Sequence, residues 1–371
     1  MFTRRTFIKY STLTTAHLLS MSHALASSYT VDGYMMPEES APHRRTWMAF
    51  VASDKIWSLQ QIPVVKANLI LIAKTIAHYE PVAMLVNPAD YQQALQLLQA
   101  GNSATHPIEL IEFAVDDLWL RDTGPTFVLD KQHTLSAIDF NFNGWGNKQQ
   151  HSLDRKVAKF ISQQTMANLI STDLVLEGGC FEVDGQGTAI LTRSCVINDN
   201  RNPNLDQAQL EQRLKRLLGL TKIIWLKGIK GRDITDGHTD FYARFSRPGE
   251  VVVSRDNYLA SYDYQVTRDN IATLQNSTDA LGNPLKLIIL DTPEIVNERF
   301  DSADFAAGYL GYYLCNGALI AQKFGDPSAD EKARKLLQQT FPNHVIEQLN
   351  IDGIASGGGS IHCATQQQIT N

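Results

Sequence analysis

Apolar and polar positions along the chain alternate between strand-like and helix-like patterns from end to end. Residues 81–86 (PVAMLV) are an unbroken apolar run of strand length, and 88–98 continue with helical spacing behind an early proline. Residues 108–113 read as a further strand. Residues 126–129 and 135–140 read as a hairpin turning about Asp130 and Lys131. Leu205, Leu210, Leu214, Leu217 and Leu218 fall on one face of a helix over 205–218, which Gly219 ends. Strands at 221–226, 251–254, 285–290 and 318–322 alternate with helices near 266–281 and 328–339. No Pro/Gly/Ser-rich linker or low-complexity run interrupts the series, so the pattern predicts one mixed α/β unit.

The N-terminus stands apart. Residues 3–9 (TRRTFIK), a mildly apolar run over 11–24 and a closing Ala-Leu-Ala have the order of a secretory signal of the twin-arginine type. The apolar run is too short and too rich in Ser and Thr to span a membrane. The expectation is removal of residues 1–26 on export, leaving 27–371 as a single domain in the bacterial periplasm or outside the cell. The formal charge is -6, and loss of Arg4, Arg5 and Lys9 would make it -9. An acidic chain without a basic cluster excludes nucleic acid as the expected partner and suits a small cation. Cys180, Cys195, Cys315 and Cys363 are irregularly spaced, with no Cys-x-x-Cys pair that would suggest zinc. Some of them could pair in an oxidising compartment, although a core of this size does not need disulfides.

Four polar clusters carry candidate chemistry. Near the C-terminus, Gly357, Gly358 and Gly359 run into Ser360-Ile361-His362-Cys363. Glycines free the backbone for a close approach, so Cys363 reads either as a nucleophile left uncovered on its loop or as a small buried thiol. Trp119, Arg121 and Asp122 precede Gly124-Pro125, which reads as a turn at a strand end with Asp122 as acceptor and Trp119 as an apolar wall. Glu177 follows an apolar run, 174–176, read as a strand, and precedes Gly178-Gly179. In the run from Asp233 to Asp240, His238 and Asp240 would point to one side of an extended segment, as metal ligands or as an acid/base pair.

These clusters, in this order, resemble a known family. Trp-x-Arg-Asp-Thr-Gly-Pro, Leu-Glu-Gly-Gly, Thr-Asp-Gly-His-x-Asp and Gly-Gly-Gly-x-Ile-His-Cys-x-Thr-Gln-Gln look like the agmatine deiminases and the bacterial Porphyromonas-type peptidylarginine deiminases. Met36-Pro37-Glu38, Pro42-His43, Asn200-Arg201-Asn202-Pro203 and Phe324-Gly325-Asp326 match further stretches, so the resemblance covers the chain beyond its leader. It implies the pentein α/β propeller, five pseudo-repeated ββαβ units around a central site. The motif loops, recurring at intervals of roughly 50 to 80 residues, suit such a repeat. It also implies a mechanism. Asp122 and Asp240 hold a planar guanidinium, the Cys363 thiolate attacks its central carbon, and His238 serves as acid and then as base. Glu177 would orient His238 or contact the substrate; Trp119, Gly358 and Gly359 would line the site. Neither metal nor organic cofactor is called for.

Agmatine leads as the implied substrate, giving N-carbamoylputrescine and ammonia through a thiouronium on Cys363. Peptidylarginine, giving citrulline, follows. The family often has Glu-Trp-Glu-Pro-His where this chain has Glu39-Ser40-Ala41-Pro42-His43, and Asn-Phe-Tyr where it has Gly311-Tyr312-Tyr313. Both changes remove side chains expected at the substrate's far end or the site rim. Two other classes compete. Asp-Gly-His-Thr-Asp resembles one ligand run of metal-dependent ureohydrolases, but their further Gly-Gly-Asp-His runs are missing and Cys363 would be idle. An exported polyamine-binding protein would not require Asp122, His238, Asp240 and Cys363 together. Cys180, close to Glu177 in sequence, reads as a small buried residue.

Overall fold

The computed structural model describes residues 33–100, 104–297 and 304–370; the segment read as an export signal lies outside them. Among the described residues the strands form five small sheets, and one construction repeats. Thr126–Leu129 pairs antiparallel with Leu135–Asp139, the helix Val157–Thr165 crosses over, and Asn168–Ser171 returns parallel to the second strand. Phe181–Val183, Thr188–Thr192, the helix Gln207–Leu218 and Lys222–Leu226 repeat it. So do Ala243–Arg247, Glu250–Arg255, Asp263–Gln275 and Lys286–Asp291. Tyr313–Cys315, Ala318–Gln322, Pro327–Thr340 and Val345–Leu349 follow. Adjacent antiparallel strands need only a tight turn, whereas a parallel return needs a crossover, which is why each unit carries one long helix. These are the ββαβ units of a pentein propeller.

The fifth unit is split between the chain ends. Gln366–Ile369 pairs antiparallel with His43–Phe50, the helix Ile62–Ile76 crosses over, and Val82–Val86 returns parallel, with Ile108–Glu112 added outside. The two ends are therefore stitched together by backbone hydrogen bonds. Every residue of Val82–Val86, Thr188–Thr192 and Ala318–Gln322 is buried, whereas Asn168–Ser171 is largely open. The inner strands thus read as continuous apolar runs, as strands covered on both faces do.

Local chemistry sets the boundaries. The helix Gln207–Leu218 starts at Asp206, whose carboxylate accepts from Gln209 N at 2.8 Å, and ends at Gly219 with φ +74°. Its buried stripe is Leu210, Leu214 and Leu218; Leu205 and Leu217 are only partly covered. The helix expected over 266–281 instead runs Asp263–Gln275. Asn276 and Ser277 donate back to the Ala272 and Thr273 carbonyls, which occupies the last turn. Residues 174–176, expected as a strand, lie in none. Asn202 takes the place of a neighbouring strand there, its side chain accepting from Val175 N at 3.1 Å and donating to Val175 O at 2.9 Å.

Each hairpin is entered through a short turn, and the five entry turns meet in a ring. Arg121 N donates to Cys363 O at 3.1 Å, and the Arg121 carbonyl packs on Gly178. Gly179 lies against His238, and the turns Thr239–Phe241 and Tyr309–Gly311 pack on each other. His362 N donates to Gly311 O at 3.1 Å and closes the circle. The motif interval from Asp240 to Cys363 spans two units because the junction at Gly311 lies between them. One ring brings together entry turns from all five repeats.

Candidate active site

Asp122 sits in the helical turn Leu120–Thr123, ahead of the strand Thr126–Leu129 rather than at a strand end. Gly124 caps the turn's end, its N–H donating to Leu120 O at 3.0 Å. Asp122 Oδ2 accepts from Trp145 Nε1 at 3.0 Å, and Oδ1 is buried with no hydrogen-bond partner. Asp240 occupies the turn Thr239–Phe241. His362 Nδ1 lies 2.7 Å from its Oδ2, and its Oδ1 likewise has no hydrogen-bond partner. Buried carboxylate oxygens without a hydrogen bond are costly, so one on each of two carboxylates that feel each other's charge marks a place built for a cationic donor.

Cys363 follows the Asp122 turn in the ring, with Sγ 4.0 Å from Asp240 Oδ2 and 3.3 Å from Ser360 Oγ. It is not left uncovered on its loop, for only 5% of it is exposed. Two indoles pack against its loop, and the three glycines serve two different needs. Gly357 faces the ring of Trp57 and Gly359 the ring of Trp119, both closer than a Cβ would allow. Gly358 adopts φ +86°, which L side chains rarely take, beside the Asp304 carbonyl. Asp117 fixes both indoles, accepting from Trp57 Nε1 at 2.9 Å and from Trp119 Nε1 at 2.8 Å.

His238 faces Asp122 with Nδ1, 3.8 Å from Oδ1, and Glu177 with Nε2, 3.3 Å from Oε2. His238 and Asp240 both face Gly179, where a Cβ would meet the imidazole at 2.5 Å, although they sit in the turn Thr239–Phe241 and its cap rather than in the extended segment expected. Glu177 is fully buried and held by Arg201 Nε at 3.0 Å from each oxygen. Its alternatives narrow here: it contacts His238, Arg201 and Cys180. Asp236 points elsewhere, to Arg201 Nη1 at 2.9 Å and Lys148 Nζ at 2.8 Å. Asp236, His238 and Asp240 therefore do not converge as the ligand run of a metal-dependent ureohydrolase would.

Residues 35–368 match the sequence model of the Porphyromonas-type peptidyl-arginine deiminases. The chain belongs to that family. An agmatine deiminase of Pseudomonas aeruginosa is 35% identical over 364 residues, 92% of this chain and 97% of that protein. The solved agmatine deiminase of Enterococcus faecalis superposes with a TM-score of 0.84 at 30% identity, over 91% of this chain and 96% of its own. A cysteine-to-serine agmatine deiminase of C. jejuni with substrate bound gives 0.80 at 25% identity, over 91% and 97%.

Electrostatics in this deiminase site are dominated by burial. Burial first, then Asp240 and Asp122, push the Cys363 thiol up to about 12. Burial, partly opposed by His238, pushes the Asp122 carboxyl up to about 6. Burial disfavours charge on His238, but Asp122, Cys195 and Glu177 outweigh it and raise the imidazole well above its ordinary value. Burial likewise opposes the charge of Glu177, yet Arg201 and His238 hold it at about 2.

The sequence did not single out the ion network that supports this deiminase ring. Glu39 Oε2 lies 2.8 Å from His362 Nε2, 2.7 Å from Arg244 Nη2 and 3.3 Å from Arg121 Nη2. Arg244 Nε also meets Glu182 at 2.9 Å. Glu39, His362, Arg121 and Arg201 lie inside motif stretches, and that was the available signal. Arg244 and Glu182 sit on strands with no local mark. Gly311 presses on Ser360, so the glycine borders the nucleophile loop as well as the rim.

Proposed function

We propose that this deiminase hydrolyses the guanidinium of agmatine to N-carbamoylputrescine and ammonia. The observation that carries the reading is that Asp122 Oδ1 and Asp240 Oδ1, on the two carboxylates whose charge acts on Cys363, are buried without a hydrogen-bond partner. A guanidinium is planar, permanently charged and offers donors on two edges, so it satisfies both carboxylates at once. In the same act it places positive charge beside a thiol that burial and those carboxylates keep protonated, which lowers the cost of forming the thiolate. Curated and solved agmatine deiminases of matching length support the substrate. The enclosure of Cys363 suits a free small amine better than arginine within a peptide.

As the guanidinium binds, the Cys363 thiol gives its proton up to solvent. The thiolate Sγ then bonds to the guanidinium carbon, and protonated His238 delivers its Nδ1 proton to one nitrogen, whose C–N bond breaks as it leaves as ammonia. Neutral His238 then takes a proton from water. The water oxygen attacks the thiouronium carbon, and the C–S bond breaks to return Cys363 and the ureido product. Glu177 acts through His238, holding Nε2 so that Nδ1 faces the reacting carbon. Trp119 and Trp57 exclude bulk water. The leader over residues 1–26 supports an exported enzyme, which cell fractionation of the full-length chain would test.

The test is ammonia release by residues 27–371, offered agmatine, free arginine and a peptide ending in arginine, with Cys363→Ala as control. Turnover of agmatine alone is expected. Turnover of the peptide instead would make this a peptidylarginine deiminase, and silence on all three would overturn deimination of these guanidines.

A further inference from the structure

Behind His238, on the side away from Asp122, lies a second set of reactive side chains that the deimination does not use. Cys180 and Cys195 are free thiols, each fully buried, with their sulfurs 3.1 Å apart. Glu177 Oε2 lies 2.9 Å from Cys180 Sγ and 3.8 Å from Cys195 Sγ, and His238 Nε2 lies 3.3 Å from that same oxygen. One ligand atom from each of Glu177, Cys180, Cys195 and His238 falls within 4.8 Å of all the others. A tetrahedral zinc with bonds of roughly 2.0–2.3 Å has ligand-to-ligand edges of roughly 3.3–3.8 Å, close to these separations. We infer that Cys180, Cys195, His238 and Glu177 form a buried site for a thiophilic divalent cation of the zinc type, and that filling it arrests the enzyme.

The donor set argues for this chemistry. Two sulfurs and an imidazole select zinc and its soft neighbours over magnesium or calcium, which require oxygen. Cys180 follows Gly178-Gly179 in the turn Gly178–Cys180, and Cys195 lies in the turn Arg193–Val196, so both sulfurs are carried by short, tightly packed backbone. Charge balances without rearrangement. On binding, each thiol releases its proton, and His238 coordinates as neutral imidazole. Two thiolates and a carboxylate then exceed the dication by one negative charge, which Arg201 on Glu177 already answers. Because the set is buried, loading is slow and set by local opening.

Arrest follows from the assignment of His238 as proton donor, and on that point alone the inference rests on the proposed function. A lone pair given to the metal through Nε2 holds His238 as a neutral imidazole whose Nδ1 proton could leave only by forming an imidazolate, so the acid that serves ammonia, and the base that later serves water, are both lost. Binding itself is independent of that reading, so it is measured separately. The metal-free, reduced chain is incubated with Co²⁺ without oxygen. The expected result is one Co²⁺ per chain, with thiolate charge-transfer absorption and the intense visible bands of tetrahedral Co²⁺, displaced by Zn²⁺. Cys180→Ser and Cys195→Ser should each lose the spectrum, and Cys363→Ala should keep it. For ammonia release, Zn²⁺ should suppress wild-type turnover reversibly on chelation. At least tenfold more Zn²⁺ should be needed for the same fractional loss in Cys195→Ser, relative to its own metal-free rate. A spectrum that survives both serine variants but vanishes in Cys363→Ala would overturn the site. So would a thiol count of the isolated, unfolded chain showing Cys180 and Cys195 already joined as a disulfide.

Discussion

His362 Nδ1 stands 2.7 Å from Asp240 Oδ2, so the residue before the nucleophile grips one of the two carboxylates that flank it. The other ring nitrogen of His362 meets Glu39 at 2.8 Å, and Glu39 is anchored by Arg244 and Arg121. Nucleophile and anchor are therefore set by one chain of charge-assisted contacts. Replacing His362 by Phe should release Asp240. A charged hydrogen bond of about 1.5–3 kcal/mol translates into roughly 10- to 100-fold weaker capture of agmatine, read as a higher KM.

Cys363→Ala removes the attacking group but leaves Asp122 and Asp240 in place. Turnover should fall by at least about a thousandfold. Calorimetry should still detect agmatine within about tenfold of its wild-type affinity, since the thiol is not a cation anchor. Loss of binding along with turnover would show that the variant has disturbed the ring.

The pH dependence follows from Asp122, whose carboxyl is pushed up to about 6 by burial. It must be ionised to hold a cation, so kcat/KM for agmatine should rise with pH through about 6 and flatten above it. The stability signs differ between groups. For Asp122 the native state holds the proton more tightly than the unfolded chain, so its contribution favours folding at low pH and fades as pH rises through about 6. For Glu177, held at about 2, the contribution is present above its ordinary value and is lost as pH falls toward 2. Thermal shifts produced by agmatine should therefore grow from pH 5 to pH 7.

Arg201 lies across Glu177 with no exposed side-chain surface on either partner. Arg201→Met strands a buried carboxylate and should cost about 3–5 kcal/mol in denaturant unfolding. Adding Glu177→Gln should restore most of that stability, because a neutral amide needs no countercharge. Turnover should stay low, because His238 would still lack its carboxylate partner. Recovery of both together would mean that Glu177 only supports the fold.

Gly359 faces the six-membered ring of Trp119 closer than a methyl group allows. Gly359→Ala should destabilise the loop by about 1–3 kcal/mol through overpacking and lower turnover with it. Trp119→Leu in the same chain should recover stability by vacating the space. A double variant no more stable than Gly359→Ala would place the strain elsewhere.

Much of the fold was legible because its cues are local. The helix Gln207–Leu218 carries its stripe, its Asp206 cap and its Gly219 stop within a few residues, and the strand Val82–Val86 announces itself by unbroken apolar character. Residues 174–176 carried the same apolar cue and misled, because their ladder partner is the side chain of Asn202. The helix near 266–281 was placed too late, since its end depends on whether Asn276 and Ser277 turn back onto it.

By itself the sequence determined the repeated alternation of elements and the motif residues Asp122, Glu177, His238, Asp240 and Cys363, for these depend on residue type and near neighbours. Only the tertiary structure decided that the last strand pairs with the first, that the nucleophile is buried with Trp57 and Trp119 packed on its glycine loop, and that Arg244 and Glu182 support the ring through Glu39. Only it brought Cys180 and Cys195 together behind His238. The reason is physical. A charged or thiol side chain has no periodic signature, and its partners are fixed by which loops the packed sheets bring together.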